Sequence, residues 1–144
     1  MSAPSRITAI TIGGRDLPAL RDFYAKLGFE VAIELDDFVA FRTRGAVFTI
    51  YQLESLAADA RAEPATPQPG HIATNFAINV DEREQVDEAI EAARAAGARI
   101  TKEPTDMEWG GRSAYFVDPE ENWWEVAWVP PDSKMAELLR EAVS

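Results

Sequence analysis

Residues 6–12 read RITAITI, with apolar positions alternating with small or polar ones, the two-residue period of a strand with one buried face. The period then changes. In GGRDLPALRDFYAKLG, Leu17, Leu20, Phe23, Tyr24 and Leu27 recur at three- and four-residue spacing, which predicts a helix with one apolar stripe. Asp16 stands where a carboxylate caps the first turn, Pro18 lies inside that turn, and Gly28 stops the helix. Three short strands follow: FEVAIEL (29–35), FVAFR (38–42) and AVFTIYQL (46–53), with turns at Asp36-Asp37 and Arg44-Gly45.

The same order then returns. IATNFAINV (72–80) reads as a strand, and Asp81 with Glu84 reads as a capping box for EREQVDEAIEAARAAG, whose buried stripe is Val86, Ala89, Ile90 and Ala93 and whose stop is Gly97. ARITKEP, GRSAYFV and NWWEVAW supply three more strands. Between the halves, LAADARAEPATPQPG (56–70) holds three prolines and no apolar period past Leu56, so it reads as a surface linker. After Pro130-Pro131, Asp132 or Ser133 caps a short terminal helix with Met135, Leu138, Leu139 and Ala142 on one face, expected to pack on its own body or on a partner. The layout is an α+β domain of two βαβββ modules (6–55 and 71–129), a linker (56–70) and a terminal helix (132–143).

Composition narrows the chemistry. With 144 residues, 47% of them hydrophobic, the chain is long enough for one compact domain with a real core. A formal net charge of −11 repels phosphate backbones and makes nucleic acid an improbable partner. The absence of cysteine removes disulfides, thiolate metal sites and a thiol nucleophile together. One histidine, His71, excludes a histidine-rich metal site within a chain. No apolar stretch approaches the ~18–20 residues that cross a bilayer, and the opening residues lack a long apolar core, so a soluble, cytoplasmic protein is expected.

The doubled order, with FYAKLGFE in the first half and DPEENWWEV in the second, resembles the vicinal oxygen chelate superfamily of glyoxalases, bleomycin-resistance proteins and extradiol dioxygenases. The resemblance covers residues from about 6 to 129. It implies paired βαβββ modules whose curved mixed sheets form a cup with helices outside, and, in metal-dependent members, four His, Glu or Gln ligands from the first and last strand of each module. Whether the cup is built within one chain or between two stays open.

Strand alternation places the four equivalent positions. Glu125 lies four residues after Glu121, which stands where the family usually has glycine, and shares its face with Trp123, Ala127 and Val129. In the first module Gly45 takes the turn role and Thr49 the ligand role, with Val47 and Tyr51 beside it. Ala9 is the equivalent in the first strand. In the fifth strand the apolar register gives Asn75, while matching the acidic residues Asp16 and Asp81 gives Thr74. Ala9, Thr49, Asn75 and Glu125 hold one carboxylate, too few strong donors for a divalent transition metal, so no cofactor is expected. His71 is no substitute, standing about 13 Å from Asn75 at ~3.3 Å per residue.

The expected function is therefore that of a metal-free relative binding a small hydrophobic or aromatic molecule in the cup, as a homodimer. The alternative is a lyase, isomerase or dioxygenase using Glu125 as acid or base, or as ligand of a weakly held divalent metal. A scaffold with a filled cup is the third reading. Further ligand-binding candidates are Tyr51, Trp109, Trp123, Arg42 and Arg112, the arginines as bidentate anchors for an anion.

Overall fold

The computed structural model describes residues 2–143. The chain forms two compact units that meet between Ala65 and Thr66, and each is built as a βαβββ module. In the first, β1 (Ala9–Gly14) leads through α1 (Leu17–Leu27) to β2 (Glu30–Glu34), β3 (Phe38–Arg42) and β4 (Val47–Gln52). The sheet order is β1-β4-β3-β2, with β1 and β4 parallel and the other pairs antiparallel. The parallel pair exists because α1 returns the chain across one face of the sheet.

The boundaries of α1 have local causes. Asp16 Oδ1 accepts from the Ala19 N–H at 3.0 Å, and Gly28 adopts φ 117° while its N–H reaches the Ala25 and Tyr24 carbonyls. The helix buries Leu17, Leu20, Phe23 and Tyr24 against Val39, Phe41, Phe48 and Ile50. Tyr24 meets Phe29, Phe41 and Phe48 with ring centroids 4.9–5.9 Å apart. Each such side chain contributes about 1.5–3 kcal/mol by leaving water, and the edge-on contacts add to it.

The second unit repeats the plan with β5 (Asn75–Asn79), α3 (Gln85–Ala96), β6 (Arg99–Asp106), β7 (Arg112–Val117) and β8 (Trp123–Trp128), in sheet order β5-β8-β7-β6. Val86, Ile90 and Ala93 of α3 are buried with Ala114, Phe116, Trp124 and Val126. The Trp124 and Phe116 rings stack at 6.1 Å. Then α4 (Lys134–Val143) follows, capped by Ser133, whose Oγ accepts from the Ala136 N–H at 3.1 Å. No described helix is long and apolar enough to cross a membrane.

Four sequence expectations need correction. The segment 56–70 is not wholly a linker: a helix, α2 (Leu53–Ala60), follows β4 directly. Gln52 caps it, its Oε1 accepting from the Ser55 N–H at 3.0 Å, and Leu53 and Ala57 are its buried residues. Asp81 and Glu84 form no capping box; the Gln85 Oε1 instead accepts from the Asp81 and Glu82 N–H groups at 3.0 and 2.7 Å. The fifth strand begins at Asn75, leaving His71 in the preceding turn. In α4 the buried residue is Ala136, while Met135 and Leu138 stand 51% and 49% exposed.

Candidate functional site

Each sheet has one face under its helix and one turned away. In the first unit, the turned-away face carries Ala9, Thr11 and Gly13 of β1, Val47, Thr49 and Tyr51 of β4, and Phe38, Ala40 and Arg42 of β3, as the register and the buried alternation require. Thr49 is buried and its hydroxyl is fully engaged: it donates to the Ile10 carbonyl at 3.2 Å and accepts from Thr11 Oγ1 at 2.7 Å. The missed helix α2 covers part of this face. A Cβ on Gly13 would stand 2.5 Å from Leu53 Cδ1, so the glycine is what lets that leucine lie on β1. Tyr51 packs its ring edge on Phe38 at 6.0 Å. Arg42 is exposed and bonded to Glu30 at 3.3 Å.

The second unit gathers chemistry on the equivalent face. Asn75 Nδ2 donates to Glu125 Oε1 at 3.3 Å. That contact puts Asn75, not Thr74, on the Glu125 face. Directly across the sheet, Glu125 faces Ala77 on one side and Tyr115 on the other. Burial, and then the charge of Glu125 and a hydrogen bond to it, hold the Tyr115 phenol above the ordinary value of 10.0. The row continues to Lys102, opposite Tyr115, whose Nζ donates to Ser113 Oγ at 2.9 Å. Ala77, Glu125, Tyr115 and Lys102 thus form one line across four strands.

Alternation from the buried Ala114 and Phe116 would have found Tyr115 and Ser113, which sequence reasoning passed over. Lys102 was not reachable that way. Pairing runs from Ile100↔Phe116 to Lys102↔Tyr115, so a β-bulge at Thr101 adds one residue and shifts the face of everything after it.

The remaining candidates divide. Trp123 is half-buried beside Glu125, with its Nε1–H donating to the His71 carbonyl at 2.8 Å, and so pins the turn before β5. Trp109 sits in the β6–β7 turn, 51% exposed, its ring lying over the Gly111 backbone. Arg112 is not an open anchor. It lies on the helix side, donating from Nε and Nη2 to both Asp87 oxygens at 2.8 Å and from Nη1 to Asp106 at 2.9 Å. The Arg112 guanidinium holds the Asp87 carboxyl below its ordinary range. Arg42 belongs to the other sheet.

The turn before β8 shows how Glu125 is placed. Glu121 adopts φ 67°, the left-handed region that glycine enters freely, and its carboxylate holds Arg99 at 2.7 and 2.8 Å. Asp118, buried in the same turn, accepts from the Glu120 and Asn122 N–H groups at 2.9 Å. Gly45, the counterpart in the first unit, has φ 83°.

Of the ligand-equivalent set, the second unit supplies one carboxylate and one amide, and the first a methyl group and a hydroxyl already engaged. Among the described residues there is no group of three or more His, Asp or Glu side chains disposed around a common point.

A family model, the glyoxalase/bleomycin resistance protein/dioxygenase superfamily, matches residues 6–126. Among solved structures, a glyoxalase-related enzyme from Fulvimarina pelagi is 26% identical with a TM-score of 0.80, covering 88% of this chain and 90% of that one. A lactoylglutathione lyase from Agrobacterium tumefaciens is 25% identical with a TM-score of 0.65, covering 88% of this chain and 96% of that one. A glyoxalase/bleomycin resistance protein/dioxygenase from Nocardioides, 24% identical with a TM-score of 0.77 over 93% of this chain and 89% of that one, shares the fold. No curated protein matches the sequence.

Proposed function

The chain belongs to the glyoxalase/bleomycin resistance protein/dioxygenase superfamily, and from that premise we propose that it binds a small hydrophobic or aromatic molecule against the Glu125 face of the second sheet, without a resident metal. The observation that carries this reading is the donor set. A divalent transition metal needs several anionic or imidazole donors around one point. Here Glu125 has Asn75 and Tyr115 as neighbours, and Thr49 spends its hydroxyl on Ile10 and Thr11. Those residues do not fit the metal of the family's metal-dependent members. What Glu125, Asn75, Tyr115 and Trp123 do offer is aromatic surface beside oriented polar groups, the usual make-up of a small-molecule site.

A second reading has its own support. A phenol kept protonated beside a carboxylate is a proton donor next to a proton acceptor, which suits a metal-free lyase or isomerase with Glu125 as the base. Under either reading we propose that the chain is a soluble cytoplasmic homodimer, in which a second copy covers the exposed Met135 and Leu138 of α4; sedimentation at micromolar concentration tests it.

The deciding experiment is metal analysis of protein purified without chelator or added metal, followed by titration with nickel, zinc, manganese and iron(II). Substoichiometric metal and no binding tighter than millimolar are expected. Near-stoichiometric metal that disappears in Glu125→Ala would sink the reading.

A further inference from the structure

Lys102 is out of keeping with its surroundings. The chain has 25 acidic residues against 14 basic ones, so a cation finds a carboxylate easily. Arg21, Arg83 and Arg112, which like Lys102 are partly buried, each hold one. Among the described residues no carboxylate lies within ion-pair distance of Lys102. Its ammonium instead donates to Ser113 Oγ at 2.9 Å and to the Met107 thioether at 3.1 Å, and stands 5.6 Å from the centroid of the Tyr115 ring.

The backbone puts it there, through a bulge that β2 also carries between Val31 and Ile33. β6 is an edge strand with two irregularities, one between Ile100 and Lys102 and one between Lys102 and Thr105. Without the first, alternation would place Thr101 opposite Tyr115 and turn Lys102 toward the helix side. The bulge leaves the Thr101 hydroxyl buried with no hydrogen-bond partner among the described residues. An unpaired buried hydroxyl is destabilising, because it loses water without gaining a partner. Bulges of this kind re-aim side chains at sites.

An ammonium has three donors. One goes to a hydroxyl, one to a thioether, which is a weak acceptor, and the third has no partner among the described residues. Ser113 accepts from Lys102 and has its own O–H to give. The Tyr115 phenol gives its proton to Glu125 on the far side, so toward Lys102 it presents its ring. Glu125 lies two strands away on the same face, with Tyr115 between it and Lys102, and forms no ion pair with the lysine among the described residues.

We infer that Lys102, with Ser113, is an anion subsite on this face, so that the small molecule it binds is an aromatic or hydrophobic carboxylate, its acid on Lys102 and its apolar body against the rings of Tyr115 and Trp123. The inference rests on the function proposed above, and goes beyond it by fixing the ligand's charge.

The test uses the full chain, labelled with nitrogen-15, titrated with matched probes: benzoate and benzamide, phenylacetate and phenylacetamide, 2-naphthoate and 2-naphthamide. Backbone amide shifts on β7 and β8 report binding at this face. The carboxylate of a pair should bind about tenfold tighter than its amide, the worth of one charge-assisted hydrogen bond. Lys102→Met should erase that preference and leave the amide's affinity unchanged, with Lys102→Gln as the second variant should the first fail to fold. Equal affinity within every pair, or a preference that survives loss of the lysine charge, would overturn the anion subsite while leaving the small-molecule site standing. If neither member of any pair moves the β7 and β8 amides, the proposed function falls and the subsite with it.

Discussion

The two sheets have one topology, and their parallel strand pairs one register, but opposite uses of the same face. Thr49 and Glu125 occupy matching places on β4 and β8, each two residues beyond the strand position opposite Ala9 or Asn75. In the first unit the position is closed: the hydroxyl is consumed by Thr11 and Ile10, and α2 lays Leu53 over Gly13. In the second the position holds a carboxylate that keeps acceptor capacity beyond its bonds to Asn75 and Tyr115, in one row with a phenol and an ammonium. The difference teaches that a duplicated scaffold fixes where a side chain points, while function depends on whether its neighbours satisfy it. A satisfied polar group stabilises; an unsatisfied one binds.

The sharpest way to break the comparison is at the glycines beside the two hairpins. A Cβ on Gly111 would overlap the Trp109 ring and the Trp128 carbonyl oxygen, and the latter is backbone that cannot swing aside. Gly111→Ala should therefore lose roughly 2–4 kcal/mol in urea unfolding. Gly45 has φ 83° and open space around it, so Gly45→Ala should cost only the left-handed penalty, about 1–2 kcal/mol. Equal losses would mean that the β6–β7 hairpin is no more tightly specified than the β3–β4 hairpin.

Next comes an exchange of effects between the paired positions. Thr49→Val keeps the shape but removes a hydroxyl that is buried and doubly bonded, and should destabilise by about 1–2 kcal/mol without touching ligand binding. Glu125→Gln should do the reverse, leaving the unfolding midpoint nearly unchanged and altering ligand binding at the second sheet. If Thr49→Val weakened binding as much as Glu125→Gln, the contrast between the two sheets would be wrong.

The Tyr115 phenol gives a pH-dependent version. Its folded pKa is raised, by burial first and by Glu125 second. A raised pKa means the neutral form is the one folding favours. Its contribution is therefore complete below the ordinary value of 10.0 and is lost as pH climbs through the higher folded value. Ultraviolet titration should show a late phenolate that Tyr115→Phe removes, and Glu125→Gln should bring it partway back. No movement in that variant would separate Tyr115 from Glu125.

How much of this was legible in the sequence follows from what each signal measures. Period and capping residues located six of the eight strands within two residues and α1 almost to the residue, because Asp16 and Gly28 act locally. The face of Glu125 and the engagement of Asn75 with it followed from alternation, since β5 and β8 run without a bulge. Helix α2 was hidden because its eight residues carry too short a stripe to stand out from the Pro-rich stretch after it. Lys102 was hidden for a different reason: a bulge is set by pairing across β6 and β7, and no residue in ARITKEP announces it. Arg112 was misplaced in role because ion-pair partners 25 residues away leave no local trace.

Glu121 gives the smallest and most exacting test. At φ 67° a glutamate carries a left-handed cost of about 1–2 kcal/mol that glycine avoids. Against that, the exposed Arg99 pair is worth at most about 1 kcal/mol, and glycine adds roughly 0.5–1 kcal/mol of unfolded-chain entropy. Glu121→Gly should therefore shift stability by less than about 1 kcal/mol, most plainly seen as a gain at high salt, where the ion pair is already screened. A loss that grows at low salt would mean Arg99 and Glu121 hold the turn that delivers Glu125, and that the second sheet uses charge even where the first needs only glycine.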